Sequence, residues 1–400
     1  MMRFADRMAR IAPSPSSMAG QRMRELRAAG RDVIGLTAGE PDFATPDNIQ
    51  QAALRAMRNG QTKYTDVGGV PELKAAVAEK FRRENSLAYR QDQIIVSSGA
   101  KQVIFNALLC LVQRGDEVVI PAPYWVSYPD MVRFAGGTPV AVACAQQHRF
   151  KLQPDELERA ITPRTRCLIL NSPNNPSGAA YDETELKALA QVLLRHPDIC
   201  VITDDIYEHL LYDGRRFATI AAVEPALADR VLTVNGVSKS YAMTGWRIGY
   251  AGGPAALIAN MVKLQSQSTS CPSAVSQAAA IEALTGPQDI IASSRKLFQA
   301  RRDLLVRRIN AIPGLHCDTP DGAFYVFASC AGLAGKRTPQ GRTIDNDTDL
   351  ALHLLDAEGV VVIQGDAYGM PGFFRLSIAA SETLIEEAQR RIAAACAALH

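Results

Sequence analysis

The sequence is short of the features that would give it a quick reading. No window offers about 18 uninterrupted apolar residues, so no membrane-crossing helix is expected. The first residues, MMRFADRMARIAPSPSS, alternate charged and apolar side chains and lack the continuous apolar centre of a secretion signal. Net charge is only +2, which gives neither a nucleic-acid footprint nor a reason to expect an anionic membrane partner. The 8 cysteines are scattered, with no C-x-x-C pair and no histidine cluster at metal-ligand spacing. Several lie in apolar runs such as CLIL and ICVI, as buried free thiols of a reducing cytoplasm do, and no metal is expected. There is no G-x-x-x-x-G-K-[ST], no G-x-G-x-x-G after a strand, no G-x-S-x-G and no H-E-x-x-H. Phosphate-loop hydrolysis, a Rossmann dinucleotide site, a serine hydrolase and a zinc protease lose their support. No internal repeat or low-complexity tract is evident.

What is present is an ordinary globular composition, 47% hydrophobic and 21% charged over 400 residues, enough for a large core and a smaller second domain. Short apolar runs read as strands at 94–98, 117–121, 166–173, 199–205, 230–236 and 247–253. Helical stretches lie between several of them, among them PELKAAVAEKFRREN, KQVIFNALLCLVQ, and DETELKALAQVLLR with Asp182 as its cap. Strands alternating with helices predict an α/β domain over 46–290, built on a mostly parallel sheet with ligands at the carboxyl ends of its strands. After about 290 the pattern becomes α+β, ending in SETLIEEAQRRIAAACAAL. Residues 1–45 are too few to fold alone and are expected to join 291–400 in the smaller domain. AGKRTPQGRTIDNDTD (334–349) reads as an exposed, mobile loop.

The candidate chemistry sits where the predicted strands stop. One runs into Gly99, Ala100 and Lys101 at a helix start, where free N–H groups suit an anion. Another runs into NSPNNPSG with Asn175, a third into DDIYEHL with Asp204 and Tyr207, and a fourth into Ser238 and Lys239, followed by Arg247. Singly, each has an ordinary explanation: a strand-end Asp caps a helix, PNNPSG is a turn, and a Lys after a strand is solvated. Together they supply an acid, an amide, a phenol, an amine, an arginine and an anion nest on one edge of one sheet. That set suits a phosphorylated, aromatic, carbonyl-bearing cofactor, pyridoxal 5′-phosphate. The lysine would hold the carbonyl and the aspartate a protonated ring nitrogen. Asn and Tyr would bind the phenolic oxygen, and Arg, Ser and backbone N–H groups the phosphate.

The stretches LTAGEPDFATP, TKYTDVGGVPELKAAVAEKF, GDEVVIPAPYWVSYPDMV, LNSPNNPSGAAY, TDDIYEHLLYDG, NGVSKSYAMTGWRIGYAGGP, GAFYVF and FFRLSIAA are similar to those of the class I aminotransferases of fold type I. The branch most resembled is that of bacterial aspartate aminotransferases, of thermophile and rhizobial type, some of which also act on prephenate. The resemblance covers the chain from about residue 10 onward, leaving no room for a DNA-binding segment ahead of it. It implies the fold type I architecture, with a mostly parallel seven-stranded sheet in the large domain and a smaller α+β domain. It also implies a homodimer with shared sites, amino-acid and 2-oxo-acid substrates, and ping-pong transamination of aspartate with 2-oxoglutarate.

Residue by residue, Lys239 resembles the Schiff-base lysine, Asp204 the partner of the ring nitrogen, and Asn175 and Tyr207 the partners of the phenolic oxygen. Lys239, Asp204 and Tyr207 are the implied catalytic set. Trp125 resembles the aromatic stacked on the ring. Ser238, Arg247 and the backbone of Gly99, Ala100 and Lys101 resemble the phosphate cup, and Tyr64 a tyrosine reaching the neighbouring subunit's phosphate. Gly39 and Arg375 resemble the holders of the substrate α-carboxylate, beside Trp125 and Asn175. Lys101 is the candidate for the distal carboxylate of a dicarboxylic substrate. RIAPSPSS departs from the branch at Ala12 and Pro15, near the substrate, which leaves open a preference for aromatic amino acids or prephenate, or a lyase reaction on the same fold.

Overall fold

The computed structural model describes residues 2–400. In chain order its strands are β1 Ile34–Gly35, β2 Ile94–Ser97, β3 Glu117–Ala122, β4 Thr138–Ala143, β5 Thr165–Asn171, β6 Cys200–Asp204, β7 Val231–Gly236, β8 Gly249–Gly252, β9 Tyr325–Ser329, β10 Val360–Val361, β11 Ile363–Gln364 and β12 Phe373–Ser377. A seven-stranded sheet runs β2-β8-β7-β6-β5-β3-β4. The fold is α/β of fold type I, and all neighbours in this sheet are parallel except β8, which is antiparallel to both β2 and β7.

The strands are nearly all-apolar because helices cover both faces of the sheet. Ile94, Val96, Val119, Leu168, Leu170 and Val201 face one buried cluster; Ile95, Val118, Ile120, Ile169, Ile202 and Leu232 face the other. The helix Pro71–Asn85 starts on a proline, and Glu183–Leu194 starts at Asp182, whose carboxylate accepts from the Glu185 N–H at 2.8 Å.

The α+β part centres on the sheet β11-β12-β9 and the 22-residue helix Asp289–Asn310. The amino-terminal stretch joins it, since β1 pairs in parallel with β10. One expectation needs correction here. The segment 334–349 is anchored rather than simply exposed. Thr338, Ile344 and Asp347 are buried, and the Asp347 carboxylate accepts from the N–H groups of Asp366 at 2.8 Å and Gly372 at 2.9 Å. All eight cysteines are free thiols, five of them buried. No described helix is long and apolar enough to cross a membrane.

Candidate active site

The parallel strands deliver their carboxyl ends to one edge of the sheet, and the antiparallel β8 delivers its amino end to the same edge. Arg247 precedes β8, so the one reversed strand is what brings the arginine beside Lys239. Arg247 is not part of the strand, as the apolar run 247–253 suggested. It lies in the left-handed region at φ 57°, a conformation that costs a non-glycine residue about 1–2 kcal/mol. The reason is crowding at the edge. A Cβ on Gly99 would lie 2.3 Å from Arg247 Nη2, and one on Gly249 would lie 2.0 Å from the Ala100 nitrogen. Two missing side chains let the guanidinium rest against the amino end of the helix Ala100–Leu111.

Here lies a cavity of about 380 Å³. Of the residues singled out by sequence, Gly39, Ala100, Lys101, Trp125, Asn175, Asp204, Tyr207, Ser238, Lys239, Arg247 and Arg375 line it. Gly99 abuts it through Arg247. Tyr64 does not line it: the residue is 91% exposed. Sequence reasoning missed Tyr128, Tyr325, Asn171, Thr37, Glu40, Thr244 and Ser16, which also line the wall. Tyr128 and Tyr325 stand inside stretches quoted above, so proximity to Trp125 and to GAFYVF was the available signal.

At the floor, Lys239 Nζ donates to the Gly39 carbonyl at 2.5 Å. Burial, the largest influence, lowers its pKa to about 8; the carboxylates of Glu40 and Asp204 oppose this, and the charges of Arg247 and Arg375 reinforce it. About a tenth of the amine is therefore neutral at pH 7. Asp204 is buried and accepts from the Tyr128 hydroxyl at 2.6 Å. Desolvation lifts its pKa to about 6, although Tyr128, the Ile206 N–H and Lys239 all favour the charged form. Asn171 fixes the neighbouring turn, donating to the Asp204 carbonyl at 2.8 Å and accepting from the Asn175 N–H at 2.8 Å. The Tyr207 hydroxyl lies 3.0 Å from that of Tyr325, and burial pushes its pKa well above the ordinary value.

Arg375 is buried, its Nη1 donating to Asn175 Oδ1 at 2.9 Å and its Nη2 to the Thr37 carbonyl at 2.9 Å, while Nε has no partner. Arg247 donates only to carbonyls, those of Thr244 at 2.8 Å and Ser98 at 3.3 Å. The Lys101 ammonium lies 3.2 Å from Ser127 Oγ and 4.6 Å from the Trp125 ring centroid, and its pKa is lowered by burial and then by Arg247. Among the described residues no carboxylate forms an ion pair with Lys101, Lys239, Arg247 or Arg375. Four cations converge on one cavity, none of them in an ion pair although Glu40 and Asp204 also line it, an arrangement suited to anionic ligands.

These residues fit pyridoxal 5′-phosphate. The gap beside Gly99, the uncapped helix start and Arg247 suit a phosphate. A buried carboxylate with no cationic partner suits a protonated ring nitrogen. The Asp204 shift makes a testable consequence. With a folded-state pKa of about 6 against 3.8 for the ordinary group, ionised Asp204 is destabilising in the cofactor-free protein. The penalty is absent below about pH 4 and complete above about pH 6, and amounts to on the order of 2–3 kcal/mol. Cofactor-free Asp204→Asn is therefore expected to exceed wild type in stability by about that much at pH 8, and to match it at pH 4, in urea unfolding. Added cofactor should narrow the difference. An equal or lower urea midpoint for the variant at pH 8 would count against the uncompensated charge.

The fold and this cavity define a fold type I enzyme that works on amines and carbonyls. The sequence profile of the family "Aminotransferase class I and II" matches residues 31–392. An aspartate/prephenate aminotransferase of Cereibacter sphaeroides is 54% identical over 396 residues, covering 99% of each chain. The solved aspartate aminotransferase of Rhizobium meliloti is 53% identical, with a TM-score of 0.98 and 100% coverage of both chains. The one from Thermus thermophilus, solved with maleate, is 43% identical, with a TM-score of 0.92 and coverage of 99% of this chain and 100% of that one. The chain belongs to the class I and II aminotransferases, a pyridoxal 5′-phosphate-dependent family, and is a transaminase.

Proposed function

We propose that this transaminase moves the amino group of L-aspartate to 2-oxoglutarate by a ping-pong reaction, as a cytoplasmic homodimer. The observation that carries the reading is that Lys239 and Asp204 line one cavity with Arg247 and Arg375, neither arginine being ion-paired to a carboxylate. When bound, the cofactor supplies a carbonyl that takes up amines and a ring that accepts electrons. Asp204 would hold the ring nitrogen protonated, while Asn175 and Tyr207 would bind the phenolic oxygen and Trp125 would pack on the ring. Arg247, Ser238 and the N–H groups at 99–101 would hold the phosphate. Arg375, with Gly39, receives the substrate α-carboxylate. Lys239, in the neutral fraction that its lowered pKa allows, would take the proton from the substrate Cα and carry it within the cavity. The same groups run the sequence backwards with 2-oxoglutarate. In this reading residues 46–290 form the cofactor-binding domain, and 1–45 with 291–400 the smaller one.

The exposed phenol of Tyr64, outside its own chain's cavity, supports a role in a partner subunit's phosphate site. Sedimentation of the pure protein as a monomer at micromolar concentration would remove that role. Eight free thiols support the cytoplasmic assignment.

Lys101 stands where the cavity meets a second one of about 510 Å³, lined by Ile11, Ala12, Phe105, Val126, Met131 and Phe134. A flexible ammonium at this junction can meet a distal carboxylate or swing aside. The apolar neighbour favours a second reading, in which aromatic amino acids or prephenate are also accepted. Ala12 lines this second cavity, whereas Pro15 opens the helix Pro15–Ala28 and lies outside both. Lys101→Ser is expected to lower kcat/KM for aspartate by about one to three orders of magnitude, as for a lost charge pair. Activity with a neutral amino acid should change little, and turnover should require a 2-oxo acid. Equal losses for both substrate classes would assign Lys101 to the cofactor, and turnover without a 2-oxo acid would favour a lyase.

A further inference from the structure

Outside the cavity, a buried polar cluster joins the end of the helix Pro71–Asn85 to the two segments that carry Tyr207 and Lys239. Glu84, Glu208 and His209 bring three candidate ligand atoms within 4.8 Å of one another, the spacing of a metal site. The fully buried Lys80 takes the cation's place. Its ammonium pairs with Glu208 and donates to Asn85 Oδ1 at 2.7 Å, and Asn85 returns a 2.7 Å bond to Glu208.

One chain of hydrogen bonds leaves this cluster. His209 Nε2 lies 2.9 Å from Glu84 Oε2, and His209 Nδ1 lies 2.8 Å from Ser240 Oγ. Ser240 is buried and directly follows Lys239; His209 is two residues beyond Tyr207. Burial alone would raise the Glu84 pKa, but His209, Lys80 and Arg83 outweigh it and bring it to about 2. The carboxylate can then only accept. His209 Nε2 donates to that carboxylate, and with no second proton on the ring its Nδ1 is the acceptor for the Ser240 hydroxyl. The hydroxyl is thereby fixed to one direction, and with it the backbone on which Lys239 is mounted.

We propose that Glu84, His209 and Ser240 form a positioning chain that sets the aim of Lys239 and holds it in step with Tyr207. This rests on the transaminase reading above and adds residues that touch neither substrate nor cofactor. A buried ionic network is seldom better for stability than apolar packing of equal volume, so orientation is what this one contributes.

The test compares Ser240→Ala, His209→Gln, their combination, and Ser240→Thr, which keeps the hydroxyl. Gln at 209 keeps a donor for Glu84 but not the acceptor for Ser240. Ser240→Ala and His209→Gln should each lower kcat with aspartate about tenfold, with KM within about twofold, as for a slightly misaimed base. Each should move the pH midpoint of the bound cofactor's visible absorbance by about half a unit, with Glu40, Asp204, Arg247 and Arg375 unchanged around Lys239. The combination should be no worse than either alone, and Ser240→Thr should behave as wild type. Wild-type kcat and midpoint in both single variants would overturn the proposal. So would additive losses, or a loss that follows the thermal midpoint and leaves the absorbance unmoved. If His209→Gln does not fold, Ser240→Ala against Ser240→Thr decides alone. A wild-type protein without cofactor absorbance would overturn the parent reading as well; an active wild type with indifferent variants overturns only the positioning chain.

Discussion

Lys239→Ala should lower kcat for aspartate by about four orders of magnitude, the upper range for loss of a positioned general base. Lys239 is the cavity's one amine at the floor, within 5.9 Å of the Tyr207 ring centroid and hydrogen-bonded to the Gly39 carbonyl. Lys101 sits at the mouth beside Ser127 and cannot replace it without leaving Trp125. On the proposed roles, the loss should fall on kcat, since Arg375 would still bind the substrate carboxylate. Cofactor should remain bound, because Arg247 and the helix amino end would still grip the phosphate. Arg247→Ala is the converse: it should weaken cofactor retention in equilibrium dialysis more than Lys239→Ala does. A Lys239→Ala enzyme within tenfold of wild type would remove the lysine from the chemistry.

The second large effect belongs to Arg375. Its guanidinium is held by Asn175 and Thr37 and lies over the rings of Tyr325 and Tyr368, at 4.3 and 5.3 Å from their centroids. Arg375→Ala leaves a substrate carboxylate in a buried place without its cation and Asn175 without its donor. Breaking a buried pair from one side costs about 3–5 kcal/mol, so kcat/KM should fall by about two to four orders of magnitude. The fall should be similar for aspartate and for neutral amino acids, because every substrate has an α-carboxylate; this separates Arg375 from Lys101. Arg375→Lys should recover little, since an ammonium cannot make the guanidinium's paired contacts. A loss confined to aspartate would exchange the roles of the two cations.

Much of this site was legible because its residues follow apolar runs, and a parallel sheet brings the ends of such runs together. The gathering of Asp204, Asn175, Lys239 and Gly99 needed only that rule. Arg247 was legible as a motif residue, but its place depended on β8 running the other way, which no periodicity announces. β4 was missed because it is an edge strand, half-exposed along its length and carrying Pro139. Tyr128 was missed because the step from Trp125 to Tyr128 does not say which side chain turns inward. The Glu84–His209 contact spans 125 residues and the His209–Ser240 contact 31, and nothing local encodes either.

The account's central claim is that the cofactor is held covalently by Lys239. The direct measurement is borohydride reduction of the purified protein, followed by proteolysis and mass spectrometry of the lysine peptides. The predicted result is loss of the visible absorbance and a reduced pyridoxyl-phosphate adduct on the peptide containing Lys239, with Lys101 unmodified and no adduct in Lys239→Ala. An adduct on Lys101 or another lysine, or none on any, would contradict it.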